Sequence, residues 1–120
     1  MANPATAEAK TPPQLVVVLI RATSDANFQV IPEVFYAFKE LHGEVHWEID
    51  NTDFDFTVTF KEESPFEKRE FNSTNPVSGR IRKDAAERYY AYTVVVTHKR
   101  TKHQQDNASL GKDPGGIVRG

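Results

Sequence analysis

The 120-residue chain contains no cysteine. This absence excludes disulfides, thiolate chemistry, iron–sulfur clusters and zinc sites built on cysteine. Its apolar run LVVVLI, at 15–20, is far too short to cross a bilayer as a helix. Neither sign of charge is in large excess, since the formal net charge is -2. Bulk charge therefore gives no support for binding to nucleic acid or to a membrane surface.

Length and composition predict one globular domain. Hydrophobic residues make up 38% of the 120 residues and include eight phenylalanines, which is enough for a core without covalent cross-links. Residues 1–14 are rich in Ala, Pro and Thr, so we expect a disordered tail there and a single β-sandwich domain over 15–120. The N-terminus lacks the basic-then-apolar pattern of a signal peptide. The default expectation is a cytoplasmic protein, or a periplasmic or secreted one if a signal was removed.

Alternation of apolar and polar side chains predicts strands along most of the chain. In 44–49 and 54–60 every second residue is apolar, and the polar turn 50–53 between them indicates a hairpin. The segment 88–97 is the longest predicted strand, and one of its faces carries Tyr90, Tyr92, Val94 and Val96. The segment 15–20 is apolar at both parities, which is typical of a strand that is covered on both faces.

Shorter elements and two long loops complete the pattern. Further strands are predicted at 28–31, 79–82 and 115–119. The segment 33–41 fits either a strand or a helix, and strand is preferred because strands lie on both sides of it. Residues 61–78 and 99–112 are predicted to be long polar loops. The sequence therefore predicts an all-β, antiparallel Greek-key sandwich of seven to eight strands.

Three segments together resemble a known family. The segment 28–60, FQVIPEVFYAFKELHGEVHWEIDNTDFDFTVTF, is similar to a strand that runs into a Pro, a strand that ends at a Gly, a Val-x-Trp strand, a polar turn and an alternating strand. YYAYTVVV, at 89–96, looks like a Tyr-x-Tyr strand that leads to a copper cysteine. DPGGIV, at 113–118, is similar to the Asp-Pro-x-Ile-Val ending of copper-free domains. The family is that of the cupredoxins. The resemblance covers roughly residues 15–119 and implies a cupredoxin-like or immunoglobulin-like sandwich.

The copper ligands of that family have no full counterpart in this sequence. The first His ligand falls at Phe56, the Cys ligand at about Val94 and the second His near Thr97 or His98, and no methionine follows Met1. A blue-copper centre needs two histidines and a thiolate. The resemblance therefore implies the sandwich without electron transfer, with core side chains, Phe56 and Val94, at vestigial ligand positions.

Side chains that can bind metals occur, but strand parity separates them. The chain has four histidines, His42, His46, His98 and His103. The turn 50–53 and the following Asp55 supply three aspartates. Imidazole suits zinc or copper and carboxylates suit calcium, so a metal-binding protein is one alternative. Parity places His46 and Asp55 on solvent-facing sides, and the aspartates lack the glycine bend of a calcium loop. Scattered surface histidines and a polar turn are the preferred interpretation.

Two basic runs form another candidate site. The residues that would contact an anion or an acidic partner are Arg80, Arg82, Lys99, Arg100 and Lys102. A binding site for an anion is favoured if the basic run at 80–82 and the basic run at 99–102 lie at the same end of the sandwich. The competing interpretation is a set of solvated strand ends and loops, which basic residues commonly occupy.

The leading functional hypothesis is a non-enzymatic interaction or assembly module. Edge strands carry unpaired backbone groups that can pair with another chain or another copy, so a protein partner or a homo-oligomer is expected. No cofactor, nucleic acid or membrane is expected as a partner. The alternatives are a metal-binding protein that uses surface His and Asp, and a module that binds an anionic ligand through the basic loop 98–103.

We expect the purified protein, prepared without a histidine tag, to bind no copper in stoichiometric amount. The reason is that three of the four ligand positions of the resembled centre hold side chains that cannot coordinate copper. Calorimetric titration with copper measures this directly. A tight one-to-one site that the substitution His98→Ala abolishes would show the expectation to be wrong.

Overall fold

The computed structural model describes residues 13–22, 28–107 and 113–120, and these residues are folded as an all-β protein. Their nine strands are β1 (Leu15–Ala22), β2 (Phe28–Ile31), β3 (Val34–Phe38), β4 (Glu44–Ile49), β5 (Phe54–Phe60), β6 (Glu70–Asn72), β7 (Tyr89–His98), β8 (Gln104–Asp106) and β9 (Gly115–Arg119). The all-β prediction is confirmed, and the ambiguous segment 33–41 contains a strand. Over the described ranges, no helix has the length and apolar character needed to cross a membrane.

The strands form two mixed sheets. In the smaller sheet β1 lies between β2, to which it is antiparallel, and β4, to which it is parallel. The larger sheet has the order β3-β9-β7-β5-β6, and β8 also pairs with β7. Within it β3 and β9 are parallel. Two sheets are compatible with a sandwich. The prediction of purely antiparallel pairing is wrong. The reason is that alternation in a sequence determines which face of a strand is buried, but not which strand lies beside it. Greek-key connectivity stays a prediction.

The polar turn at 50–53 joins the two sheets, so the predicted hairpin is wrong. β4 pairs with β1, whereas β5 pairs with β6 and β7. The corner is closed by side chains: Asp50 Oδ1 accepts from the Ala22 N–H at 2.9 Å, and Asn51 Oδ1 accepts from the Asp53 N–H at 3.0 Å. These residues have the turn-forming chemistry that the sequence indicates, but they connect layers instead of neighbouring strands.

The described residues form nine strands, whereas seven to eight were predicted. Two short strands form within predicted loops, and one predicted strand does not form. β6 and β8, of three residues each, lie inside the predicted loops 61–78 and 99–112. The predicted strand at 79–82 does not form. Its backbone runs past the start of β4 instead, where the Ile81 N–H donates to the Gly43 carbonyl at 3.0 Å and the Ile81 side chain is buried.

Aromatic side chains from both sheets fill the core between them. Trp47 of β4 is fully buried and stacks on Phe71, with ring centroids 5.1 Å apart. It also meets Tyr92 and Phe60 edge-on at 5.7 and 6.2 Å. Such pairs each add about 0.5–1.5 kcal/mol beyond burial. The smaller sheet is thus joined to β5, β6 and β7 through one indole.

Gln14 belongs to the folded part of the chain, although the prediction placed it in the tail. Its backbone bonds to Leu41 and Glu44, and its side-chain amide pairs with the backbone of β3. Oε1 accepts from the Phe38 N–H at 2.9 Å, and Nε2 donates to the Tyr36 carbonyl at 3.0 Å. The side chain therefore pairs with β3 as a neighbouring strand would. Residues 1–12 of the predicted tail lie outside the described residues.

We expect Gln14→Ala to lower the free energy of unfolding by about 1–2 kcal/mol, because two side-chain hydrogen bonds to β3 are lost. Denaturant unfolding followed by tryptophan fluorescence measures the change. Gln29→Ala is the matched control, since that exposed glutamine makes no such pair of bonds, and we expect it to change stability by less than about 0.5 kcal/mol. Equal effects of the two substitutions would contradict the role given to Gln14.

Candidate interaction surface

The two sides of β1 differ in how they are covered. Val18 and Ile20 are fully buried against the larger sheet. On the opposite side Leu15 and Val17 are 56% and 47% exposed, and Leu19 is half-buried. The sequence predicted cover on both faces of this strand. Within the described ranges, only one face is covered, so a row of apolar side chains is left in contact with solvent.

The strands beside β1 extend this row into a surface with two chemical halves. On one side Ile31 of β2, 43% exposed, is paired with Leu19. On the other side β4 places its outward residues next to the apolar row in parallel register. We call this surface the outer face; its residues are Leu15, Val17, Leu19, Ile31, Glu44, His46 and Glu48. The apolar row consists of Leu15, Val17 and Leu19 of β1, and the acidic row consists of Glu44 and Glu48 of β4. The two rows lie about one strand spacing, ~4.8 Å, apart.

The acidic row carries uncompensated charge. Neither Glu44 nor Glu48 forms an ion pair with any other residue that the structure describes. Arg21, at the end of the apolar row, lies 3.9 Å from Asp50 and so faces a carboxylate outside that row. The outer face therefore has a net negative flank beside its apolar centre.

The two edges of the smaller sheet are unequal. The edge at β4 is covered by residues 76–78: the Trp47 N–H donates to the Pro76 carbonyl at 3.1 Å, and the Ser78 N–H donates to the Val45 carbonyl at 2.8 Å. Ser78 Oγ also accepts from the Val45 N–H at 2.7 Å. The other edge, β2, borders a groove of about 500 Å³ lined by residues 29–33. In this sheet, the expectation that an edge strand pairs with another chain therefore applies to β2 and not to β4.

The two basic runs do not share one end of the sandwich. Lys99 lies beyond the start of β5, where its N–H donates to the Asp53 carbonyl at 2.9 Å. Arg82 lies beyond the end of β5, where its N–H donates to the Pro65 carbonyl at 2.8 Å. The structure therefore does not bring the predicted anion-contact residues together into one patch.

Arg82 cross-links the loop that follows β5. Its guanidinium donates to the Ser64 and Phe66 carbonyls at 2.7 and 3.3 Å and contacts Glu63 and Asp84 at 3.0 and 2.8 Å. Partial desolvation lowers the pKa of Arg82, but the two carboxylates outweigh it and the net shift is upward. A guanidinium engaged in this way has little capacity left for an external anion, whereas Arg80 is exposed.

The hairpin 98–103 exposes three predicted contact residues, Lys99, Arg100 and Lys102. Its turn is closed by His98, whose Nδ1 accepts from the Arg100 and Thr101 N–H groups at 3.1 and 3.2 Å. These two backbone N–H groups are therefore already hydrogen-bonded, so an anion at this turn would be bound by the side chains of Lys99, Arg100 and Lys102. Within the described ranges, no three His, Asp or Glu side chains are grouped closely enough to hold a metal ion.

No family model matches the chain, and no curated protein matches it. The resemblance to cupredoxins therefore stays a prediction. Phe56 and Val94, at the positions that the resemblance gives to copper ligands, are 3% and 0% exposed and lie in the core. Their packing is that of ordinary core residues on β5 and β7.

The outer face is not evident from the sequence, although both of its rows belong to predicted strands. Apolar residues at both parities of 15–20 indicate a strand that is covered on both faces, and the alternation of 44–49 puts Glu44 and Glu48 on the same side as His46. What was missing was the parallel pairing of β1 with β4, which puts the two rows side by side. Pairing between distant segments is not encoded in the alternation of either strand.

We expect Arg82→Ala to lower the free energy of unfolding by about 2 kcal/mol, because the bonds to two carbonyls and the ion pairs with Glu63 and Asp84 are lost, although Glu63 keeps its contact with Arg88. Arg80→Ala is the control, with the same change in charge at an exposed site, and should change it by less than about 0.5 kcal/mol. Thermal or denaturant unfolding at one salt concentration compares them. Similar values for both would remove the cross-linking role of Arg82.

Proposed function

We propose that this protein is a non-enzymatic, cupredoxin-like interaction or assembly module without a copper site. The single observation that carries the proposal is the outer face, where the apolar row of β1 is exposed. Contiguous exposed apolar surface bordered by polar residues commonly marks a protein-binding site. The proposed activity is therefore binding of another protein chain, and none of its residues is assigned a catalytic role.

The energetics of the outer face favour a partner that covers it. Burying a Leu, Val or Ile side chain completely gains roughly 1.5–3 kcal/mol, so covering a side chain that is about half exposed gains on the order of 1 kcal/mol. Leu15, Val17 and Ile31 are such side chains. The neighbouring edge β2, which pairs with β1 alone among the described strands, adds a second means of attachment, since an extended chain can pair with an edge strand.

A second candidate function rests on the hairpin 98–103. Lys99, Arg100 and Lys102 are exposed, and the one ion pair that they form with described residues joins Lys99 to Asp55 at 4.0 Å. Three neighbouring cations on a hairpin turn can bind an anionic ligand or an acidic partner. This hairpin joins β7 to β8 of the larger sheet, whereas the outer face belongs to the smaller sheet, so the two functions can be tested separately.

We expect a photo-crosslinking amino acid at Val17 to give discrete protein adducts in cells that express the protein. The same amino acid at Thr101 samples the hairpin, and at Thr52, an exposed turn residue, it provides the control. The reason is that only a residue within contact distance of a bound chain can be joined to it. Denaturing electrophoresis of the purified adducts gives the measurement.

The positions of the adducts distinguish the two functions. Adducts at 17 with none at 52 and 101 support the outer face as the binding site. Adducts at 101 alone transfer the function to the hairpin and contradict the proposal. Equal labelling of all three positions, or none at 17, also contradicts it.

A further inference from the structure

We infer that the chain which covers the outer face is a cationic amphipathic helix, with an apolar stripe and lysine or arginine residues along one flank. This inference rests on the proposed function and adds the chemistry of the partner. It is carried by the juxtaposition of the apolar row of β1 with the acidic row of β4.

The acidic row determines the charge of the occupant. Glu44 and Glu48 are two residues either side of His46 in β4, and neither forms an ion pair with a described cation. A partner that covers Leu15 and Val17 necessarily lies close to both carboxylates. Bringing an apolar or acidic surface there would remove water from the carboxylates without replacing it, which is unfavourable. A cationic flank supplies the missing partners.

A second copy of this chain does not meet that requirement. Aligned face-to-face sheets related by a two-fold axis can have their β1 strands either parallel or antiparallel. In the antiparallel arrangement the two β4 rows face each other, so Glu44 of one copy meets Glu48 of the other. In the parallel arrangement the β4 row of each copy lies over β2 of the other, whose outward residues are Gln29 and Ile31. The antiparallel arrangement therefore brings like charges together, and neither arrangement pairs the acidic row with a cation.

The dimensions of the outer face fit a helix. From Leu15 to Leu19 the apolar row is about 13 Å long, given ~3.3 Å per residue in a strand. Three strands at ~4.8 Å spacing provide a platform about 10 Å between the outer strand axes, close to the 10–12 Å diameter of an α-helix. The row corresponds to about nine helical residues at 1.5 Å each, so cations about two turns apart would face Glu44 and Glu48.

The experiment uses two synthetic helical peptides of about 18 residues with an identical leucine stripe. One carries lysines along a flank of the stripe and the other carries glutamates at the same positions. Fluorescence anisotropy of labelled peptide measures the affinity for the intact protein. We expect the lysine peptide to bind at least about tenfold more tightly near 0.05 M salt, and the difference to shrink near 0.5 M.

Matched variants locate the binding to the outer face. Glu44→Gln with Glu48→Gln should reduce the preference for the lysine peptide to within about twofold. Glu62→Gln with Glu67→Gln makes the same change in net charge at exposed positions of the loop after β5 and should leave the preference unchanged. Val17→Ser should weaken the lysine peptide severalfold without altering the charge.

The outcomes separate this inference from the proposed function. Equal affinity for the two peptides, or an equal loss in the two glutamate-to-glutamine pairs, overturns the inference. So does a concentration-dependent dimer in sedimentation that Val17→Lys abolishes, since the occupant would then be a second copy. If neither peptide binds while adducts form at position 17, the binding face stands and the cationic helix falls. Absence of both signals removes both proposals.

Discussion

The packing of Trp47 between the two sheets is the contact on which the outer face depends. Its indole contacts side chains of three strands of the larger sheet, which fixes the inward parity of β4. Since successive strand residues point to opposite faces, an inward Trp47 requires Glu44 and Glu48 to point outward. Parallel register with β1 then places Leu15 and Val17 beside them. A shift of one residue would bury the carboxylates and expose the indole.

That same core contains polar atoms that gain nothing from hydrogen bonding. The Trp47 Nε1–H and the Tyr92 hydroxyl are buried without a hydrogen-bond partner among the described residues, and an unsatisfied buried group costs about 1–3 kcal/mol. Burial raises the pKa of Tyr92, an effect that the nearby Trp47 N–H, although outside hydrogen-bond geometry, only partly offsets. Tyr90 differs, because its hydroxyl donates to the Ala86 carbonyl at 2.8 Å. The aromatic rings at the centre therefore stabilise the fold through close packing and dispersion, whereas the two unsatisfied polar atoms destabilise it.

Sequence alternation predicted the strands well and their neighbours poorly. The bounds of β2, β4, β5 and β9 match those expected, and the inward residues of β5 and β7 are buried. Parity depends only on one strand, so it can be recognised locally. The parallel pairs, the corner at 50–53 and the engagement of Arg82 by the Ser64 and Phe66 carbonyls depend on distant segments. The sequence shows that Arg80 and Arg82 carry the same charge. It cannot reveal that the Arg82 guanidinium is hydrogen-bonded to its own loop, whereas Arg80 is exposed.

The exposed side of β1 unites the sequence pattern with the proposed function. A strand that is apolar at both parities has the composition of a strand between two layers, and the described residues supply one layer. The larger sheet is that layer, so a bound chain would be the second. An apolar row alone would accept any apolar surface, including another copy. Glu44 and Glu48 would restrict that choice, because a cationic face pairs with them and an identical face does not. On the proposed binding surface, specificity would therefore come from the acidic row and affinity from the apolar row.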